Sequence, residues 1–338
     1  MTAQYRKAER QNVSVIVGLA GGTGSGKTKT AFELATGLAG GKPFGVIDTE
    51  AGRAMHYAPK PGEKADGANT YDFECLQLAA PFSPAAYTEA IKTGDAAGFP
   101  VIVVDQLSYE HAGDGGLLDM AEGELDRMAG DNYEKRQACL QASWIKPKRE
   151  HKRMMRALTQ TKAHLILCFR AEEKTEMKKV DGRWKMVPME RRTGKDGWIP
   201  ICEKNIPFEA TCSFLLTDAL PGVPIPIKLQ AQHKSFFPLD KPIIQDTGRK
   251  LAEWASVRGA PKAAVDADTS LGREVPSAAQ SAAPSDGLTA DQHTDILDKL
   301  QPIKDGEARL KRAAKVDNLW KLPSYDKALK WIEQASGK

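Results

Sequence analysis

"VSVIVGLAGGTGSGKT", residues Val13 to Thr28, decides the fold. Val13 to Ala20 is apolar almost without a break, as in a parallel strand buried on both faces. Gly21-Gly22-Thr23-Gly24-Ser25-Gly26-Lys27-Thr28 then fits G-x-x-x-x-G-K-T in full. Glycines let backbone N–H groups curl around phosphate oxygens with no Cβ in the way. A helical pattern from Lys27 to Leu38 follows, with Gly37, Gly40 and Gly41 expected to end it. The N-terminus of such a helix favours an anion. Lys27 is placed to reach the β- and γ-phosphates of a nucleotide, and the Thr28 hydroxyl to ligate Mg²⁺. A chance glycine turn would not carry a strand before it and a helix after it.

Further apolar runs repeat the theme. Phe44–Ile47, Tyr71–Leu76, Val101–Val104, His164–Phe169, Thr211–Leu216 and Ile225–Gln232 read as strands. Helical patterns cover 84–93, about 147–160 and 248–256. Residues 52–70 read as a loop, and 106–132 are rich in glycine and acids. Strands alternating with helices imply an α/β domain with a mainly parallel central sheet flanked by helices.

Two strands end in acids. Val101-Ile102-Val103-Val104-Asp105 is an apolar strand closing on a carboxylate, the form that supports Mg²⁺ beside a phosphate loop. Val46-Ile47-Asp48-Thr49-Glu50-Ala51-Gly52-Arg53 brings Glu50 to the tip of the second strand. In open α/β sheets ligands bind at the carboxyl ends of the strands. Glu50 is therefore a candidate to orient or deprotonate an attacking water, against the alternative of a solvated acid paired with Arg53. Glu110 and His111, just past the second acid, compete for a place in the site.

This ordered set resembles the RecA-like recombinase core. More closely it is similar to phage-encoded RecA-like P-loop ATPases of the single-strand-annealing recombinase type. "VIDTEAGR", "VIVVDQLSYEHAGDGGLLD", "ASWIKPKREHKRMMRAL" and "LILCFRAEEKTE" carry the likeness in that order, over about residues 13–257. The resemblance implies ATP and Mg²⁺ as ligands, with Glu50 as the catalytic glutamate. It implies Arg170 as a γ-phosphate sensor at the end of the fourth strand. It also implies that Lys234 reaches the nucleotide of a neighbouring copy in a homo-oligomer. No N-terminal polymerisation domain is recognisable, so annealing or pairing of strands is expected ahead of filament-based exchange.

Charge is unevenly spread. Residues 131–200 hold 18 Lys and Arg against nine Asp and Glu, while the whole chain carries a formal net charge of only +4. A basic face on an otherwise acidic body is a footprint for a polyanion. Lys148, Arg149, Lys152 and Arg153 cluster on one helical stretch. Lys178, Lys179, Arg183, Lys185, Arg191 and Arg192 surround Trp184, with Trp198 close behind. Aromatics among cations suit single-stranded DNA, since bases stack while cations track phosphates. "KKVDGRWKMV" also carries an Asp-Gly turn signal, so a solvated β-hairpin is the plain alternative; the two readings are compatible.

Residues 1–258 are expected to form the ATPase domain, 259–288 a flexible linker rich in Ala, Pro, Ser and Asp, and 289–338 a small helical module. Thr289 has capping-box spacing at the start of the module. By resemblance the module suits a single-strand-binding protein as partner; a passive appendage is the alternative. No apolar run approaches a membrane span, and the polar N-terminus has no signal-peptide core. A cytoplasmic location (that of the host, if phage-encoded) and reduced thiols at Cys75, Cys139, Cys168, Cys202 and Cys212 follow. The leading functional expectation is an ATP-dependent, single-stranded-DNA-stimulated recombination ATPase. The alternatives are a nucleotide-gated mediator or helicase loader with little turnover and, last, a small-molecule kinase.

Overall fold

The computed structural model describes residue 7, residues 11–180, 182–188 and 197–256, and residues 296, 310, 328, 329, 331 and 332. In chain order the elements are β1 (Ile16–Gly21), α1 (Lys27–Ala39), β2 (Phe44–Asp48), β3 (Phe73–Gln77), α2 (Pro84–Ala96), β4 (Val101–Asp105), α3 (Ser108–Ala112), α4 (Leu117–Ala129), α5 (Tyr133–Cys139) and α6 (Ile145–Gln160). There follow β5 (His164–Glu173), β6 (Thr175–Val180), β7 (Arg183–Pro188), β8 (Trp198–Pro200), α7 (Ile206–Glu209), β9 (Cys212–Leu216), β10 (Ile225–Lys228) and α8 (Gln245–Ala255).

The main sheet runs β10-β9-β1-β5-β4-β2-β3, with β8 paired to the far end of β5. All neighbours from β9 to β3 are parallel, and β10 adds an antiparallel edge. This is the α/β architecture that the alternating pattern predicts. The central strands bury both faces, so their residues divide by period two. Val17 and Leu19 of β1, Val101 and Val103 of β4, and Ile166 and Cys168 of β5 face one core with Phe32 and Leu34 of α1 and Leu251 of α8. Ile16 and Ala20, Ile102 and Val104, and Leu165 and Leu167 face the other, with Tyr87 of α2 and Met154 and Leu158 of α6. Each such large side chain contributes about 1.5–3 kcal/mol by leaving water. Phe32 anchors the first core, with the rings of Phe44, Tyr57, Tyr71 and Phe73 5.1–5.6 Å from it.

The expected strand Ile225–Gln232 stops at Lys228, and three larger departures from the sequence pattern follow. Val13–Val15 precede the first strand, with Val13 N–H donating to Ala255 C=O at 3.0 Å. Gly37 does not end α1; it lies inside the helix, which stops at Gly40 with a φ of 62°. A Cβ on Gly37 would sit 1.9 Å from the Gln245 carbonyl oxygen, and one on Gly248 2.3 Å from that of Leu34. The helices α1 and α8 therefore meet backbone to backbone. Finally, the glycine- and acid-rich stretch after β4 folds into α3 and α4. Leu117, Ala121, Leu125 and Ala129 are buried at four-residue spacing and outweigh Gly123.

The chain divides into two compact units, Met1–Ala264 and Val265–Lys338. In the second, Ile296, Leu310, Ala328 and Ile332 are buried. The expected linker, and the rest of the expected module, lie outside the described residues. Among the described residues no helix is long and apolar enough to cross a membrane. All five cysteines are free thiols.

Candidate active site at the strand ends

Parallel register gathers the site. Gly21, the last residue of β1, lies level with Arg170 on β5 and Leu216 on β9, while Asp48 lies level with Asp105. The loop Gly21–Gly26 thus opens on the same edge of the sheet as the strand ends that carry Asp48, Asp105 and Arg170. Gly24 and Gly26 both take φ of 79°, a left-handed conformation that L side chains resist. Ser25 Oγ donates to Gly22 C=O at 2.8 Å, and Lys27 Nζ donates to the Gly21 and Gly22 carbonyls at 2.8 Å each. Burial holds the Lys27 ammonium below the ordinary lysine range, against the opposing pull of Asp105 and Glu50. Thr23, between the glycines, is exposed.

Thr28 Oγ1 donates to Asp105 Oδ2 at 2.7 Å. Two hard oxygen donors on adjacent elements fit Mg²⁺, which binds one or two protein oxygens and completes its shell with phosphate and water. Among the described residues no group of three His, Cys, Asp or Glu is set to hold a metal unaided. Burial raises the Asp105 carboxyl to about 6, although the Thr28 hydroxyl pulls it down. In the unfolded chain it ionises near 3.8. The sign follows: stability from this group is full below pH 4 and is lost as pH rises through 6, by about 3 kcal/mol. Asp105→Asn without nucleotide is therefore expected to unfold at higher temperature than wild type at pH 8, and with no such gain at pH 4. Equal melting at pH 8 would show that ionising Asp105 carries no penalty.

The acids at the end of β2 and just beyond it divide the work. Asp48 shapes the turn: its carboxylate accepts from Glu50 N–H at 2.6 Å and Ala54 N–H at 3.1 Å. Ala51 is left-handed at φ 56°, which costs about 1–2 kcal/mol. That turn sends Glu50 toward the site, its side chain 16% exposed. Glu50 Oε1 accepts from Gln106 Nε2 at 2.6 Å and from Arg170 at 3.3 Å, and Oε2 accepts from Arg53 at 3.1 Å. Arg170 also lies over the Tyr109 ring at 5.3 Å. Lys27, Thr28, Glu50, Asp105 and Arg170 thus converge, in the sequence-expected set. Glu110 does not join them. It is fully buried against α6, bonded to His151 Nδ1 at 2.9 Å. Lys234 is exposed after the short turn at Ala231–His233.

Two neighbours of the site carry no motif signal for this position, Gln106 and Trp198. Gln106 follows the strand-end acid. Trp198, grouped by sequence with the basic segment, lies against Gly22 of the glycine loop. Its ring lies 2.9 Å from where a Cβ on Gly22 would stand. It does so because β8 returns antiparallel along β5, with Glu173 level with Trp198.

Between those two strands β6 and β7 form a hairpin arm. Met177 faces Met186 and Lys179 faces Trp184 across it, so these four share one side. Lys178 and Lys185, opposite each other, share the other with Arg183. Trp184 is 67% exposed, Met177 54% and Met186 62%. Arg191 and Arg192 lie outside the described residues. On α6, Pro147, His151, Met154 and Leu158 are buried while Lys148, Arg149, Lys152 and Arg153 are exposed. Arg153 pairs with Glu150 at 2.7 Å.

No protein-family model matches the chain, and no curated protein matches it. Among solved structures, the chain is similar to a RadB recombinase, with 19% identity over 60% of this chain and 74% of that one, at a TM-score of 0.32. It is also similar to a KaiC-like protein from the hyperthermophilic archaeon Pyrococcus horikoshii OT3, with 14% identity over 57% of this chain and 98% of that one, at a TM-score of 0.26.

Proposed function

We propose that the chain is a RecA-like ATPase that binds ATP with Mg²⁺, hydrolyses it, and acts on single-stranded DNA in recombination. The observation that carries the hydrolytic part is the convergence of Lys27, Thr28, Asp105 and Glu50 at one phosphate loop. Backbone N–H groups of the loop and Lys27 hold the phosphates. Thr28 and Asp105 would hold the metal, which supplies charge neutralisation at the β- and γ-oxygens. Glu50 takes up or orients the proton of the attacking water. Arg170 answers the charge that develops on the transferred phosphoryl group. Lys234 serves the nucleotide of a neighbouring copy in a homo-oligomer.

The hairpin arm and the exposed cations of α6 support a single-stranded polyanion as partner. Met177, Met186 and Trp184 offer apolar surface for bases, and lysines flank them on both sides of the ribbon. Annealing or pairing of strands is the reaction we assign, of the kind carried by phage recombination proteins. The C-terminal module would dock a single-strand-binding protein. The first test is phosphate release from ATP with Mg²⁺, with and without a single-stranded oligonucleotide. Turnover that rises with DNA is expected. Turnover without any DNA response removes the DNA part, and phosphate transfer to a small acceptor would make the chain a kinase. Trp184→Ala is expected to weaken oligonucleotide binding by about 1–3 kcal/mol, read by fluorescence anisotropy. Unchanged affinity would take the arm out of the interface.

A further inference from the structure

Gln106 is 1% exposed. Its backbone is held regardless of its side chain: N–H donates to Thr49 Oγ1 at 2.9 Å, and C=O accepts from the Tyr87 hydroxyl at 2.8 Å and from Thr49 Oγ1 at 3.2 Å. The side chain does one thing. Nε2 donates to Glu50 Oε1 at 2.6 Å. The amide orientation is fixed by that contact, because the reverse would set Oε1 against a carboxylate. Oε1 is buried and takes no hydrogen bond from any described residue.

A buried acceptor left unpaired costs about 1–3 kcal/mol. Methionine has nearly the same volume and would fill the space without that penalty. The fold therefore has no use for an amide here. Glu50 does. Its other two donors stand on long side chains in solvent, Arg53 at 63% exposure and Arg170 at 50%. Gln106 is its one buried donor among the described residues.

We propose that Gln106 is a positioning residue for hydrolysis: it clamps one oxygen of Glu50 and so fixes the rotation of the carboxylate that meets the attacking water. This rests on the hydrolytic reading of Glu50. Turnover depends steeply on such alignment, since a misplacement of about 1 Å costs roughly 10²-fold. The clamp touches neither the phosphate loop nor the metal oxygens, so nucleotide affinity is separate from it.

The test compares Gln106→Met, Glu50→Gln and the double variant with wild type, by steady-state ATP turnover and thermal unfolding. Gln106→Met is expected to lower kcat about 10–100-fold, leave KM for ATP within about twofold, and melt at or above the wild-type temperature. In the Glu50→Gln background the same change is expected to add nothing, as for residues acting as one unit. Wild-type kcat in Gln106→Met, beside an inactive Glu50→Gln, overturns the clamp and leaves the hydrolytic reading standing. A fall in kcat that comes with a lower melting temperature or a raised KM makes Gln106 structural and also overturns it. Wild-type turnover in Glu50→Gln, or none in the wild type, takes both readings down.

Discussion

Glu50→Gln is expected to lose about two to four orders of magnitude in ATP turnover while still binding ATP. Glutamine keeps the shape of the side chain and removes its capacity to accept a proton. The fold should tolerate the change. The two arginines that pair with Glu50 are exposed at 63% and 50%, and exposed ion pairs contribute about 0–1 kcal/mol. Binding should tolerate it too, because the loop carbonyls, Lys27 and the Thr28–Asp105 pair make no hydrogen bond to Glu50. Phosphate release and titration with a fluorescent nucleotide separate the two quantities. Full turnover in the variant would mean that another group activates water. Glu110 is not that group while it stays fully buried against His151.

The second large effect is on stability. Inside a helix, alanine is favoured over glycine by about 0.8–1 kcal/mol. Gly37→Ala is nonetheless expected to destabilise by about 3 kcal/mol or more, because overpacking a close contact commonly costs 1–3 kcal/mol and here the obstacle is backbone. The added methyl would stand 1.9 Å from the Gln245 carbonyl oxygen, so α8 must move off α1. For a domain of this size the unfolding temperature should fall by about 6–12 °C. Gly123 in α4 is the matched control, with nothing within 4 Å of an added Cβ. Gly123→Ala should gain up to about 1 kcal/mol. If both variants melt above wild type, the backbone contact between α1 and α8 does not exist in solution.

These residues show what a sequence can disclose. The strand, loop and helix around Lys27 were legible because strand burial, glycine geometry and helix start all fall within 16 adjacent residues. Asp105 and Glu50 were legible for a related reason: parallel strands deliver their C-terminal residues to one edge. Arg170 was reached only through the resemblance to the RecA-like core. What stayed hidden depends on distant pairing. Gly37 reads as a helix stop unless α8 is known to cross it. Gln106 reads as the residue after a motif until Glu50 is brought 2.6 Å from it. Trp198 reads as part of a basic segment until β8 folds back along β5. The α4 helix went unread because glycines within and around it masked the four-residue spacing of Leu117, Ala121, Leu125 and Ala129.

The strands before and after the arm in the chain each carry a residue beside the glycine loop or Glu50. Arg170 lies on β5, the strand before the arm, and pairs with Glu50, while Trp198 lies on β8, the next described strand after it, against Gly22. If a strand of DNA gripping the arm shifted β5 or β8, it would also shift residues of the proposed ATP site. Thermodynamic reciprocity makes this traffic two-way: if DNA tightens ATP tenfold, ATP must tighten DNA tenfold, about 1.4 kcal/mol in each direction. The chain would then hold strands firmly when charged with ATP and loosen its grip after hydrolysis, with each turnover timing one release.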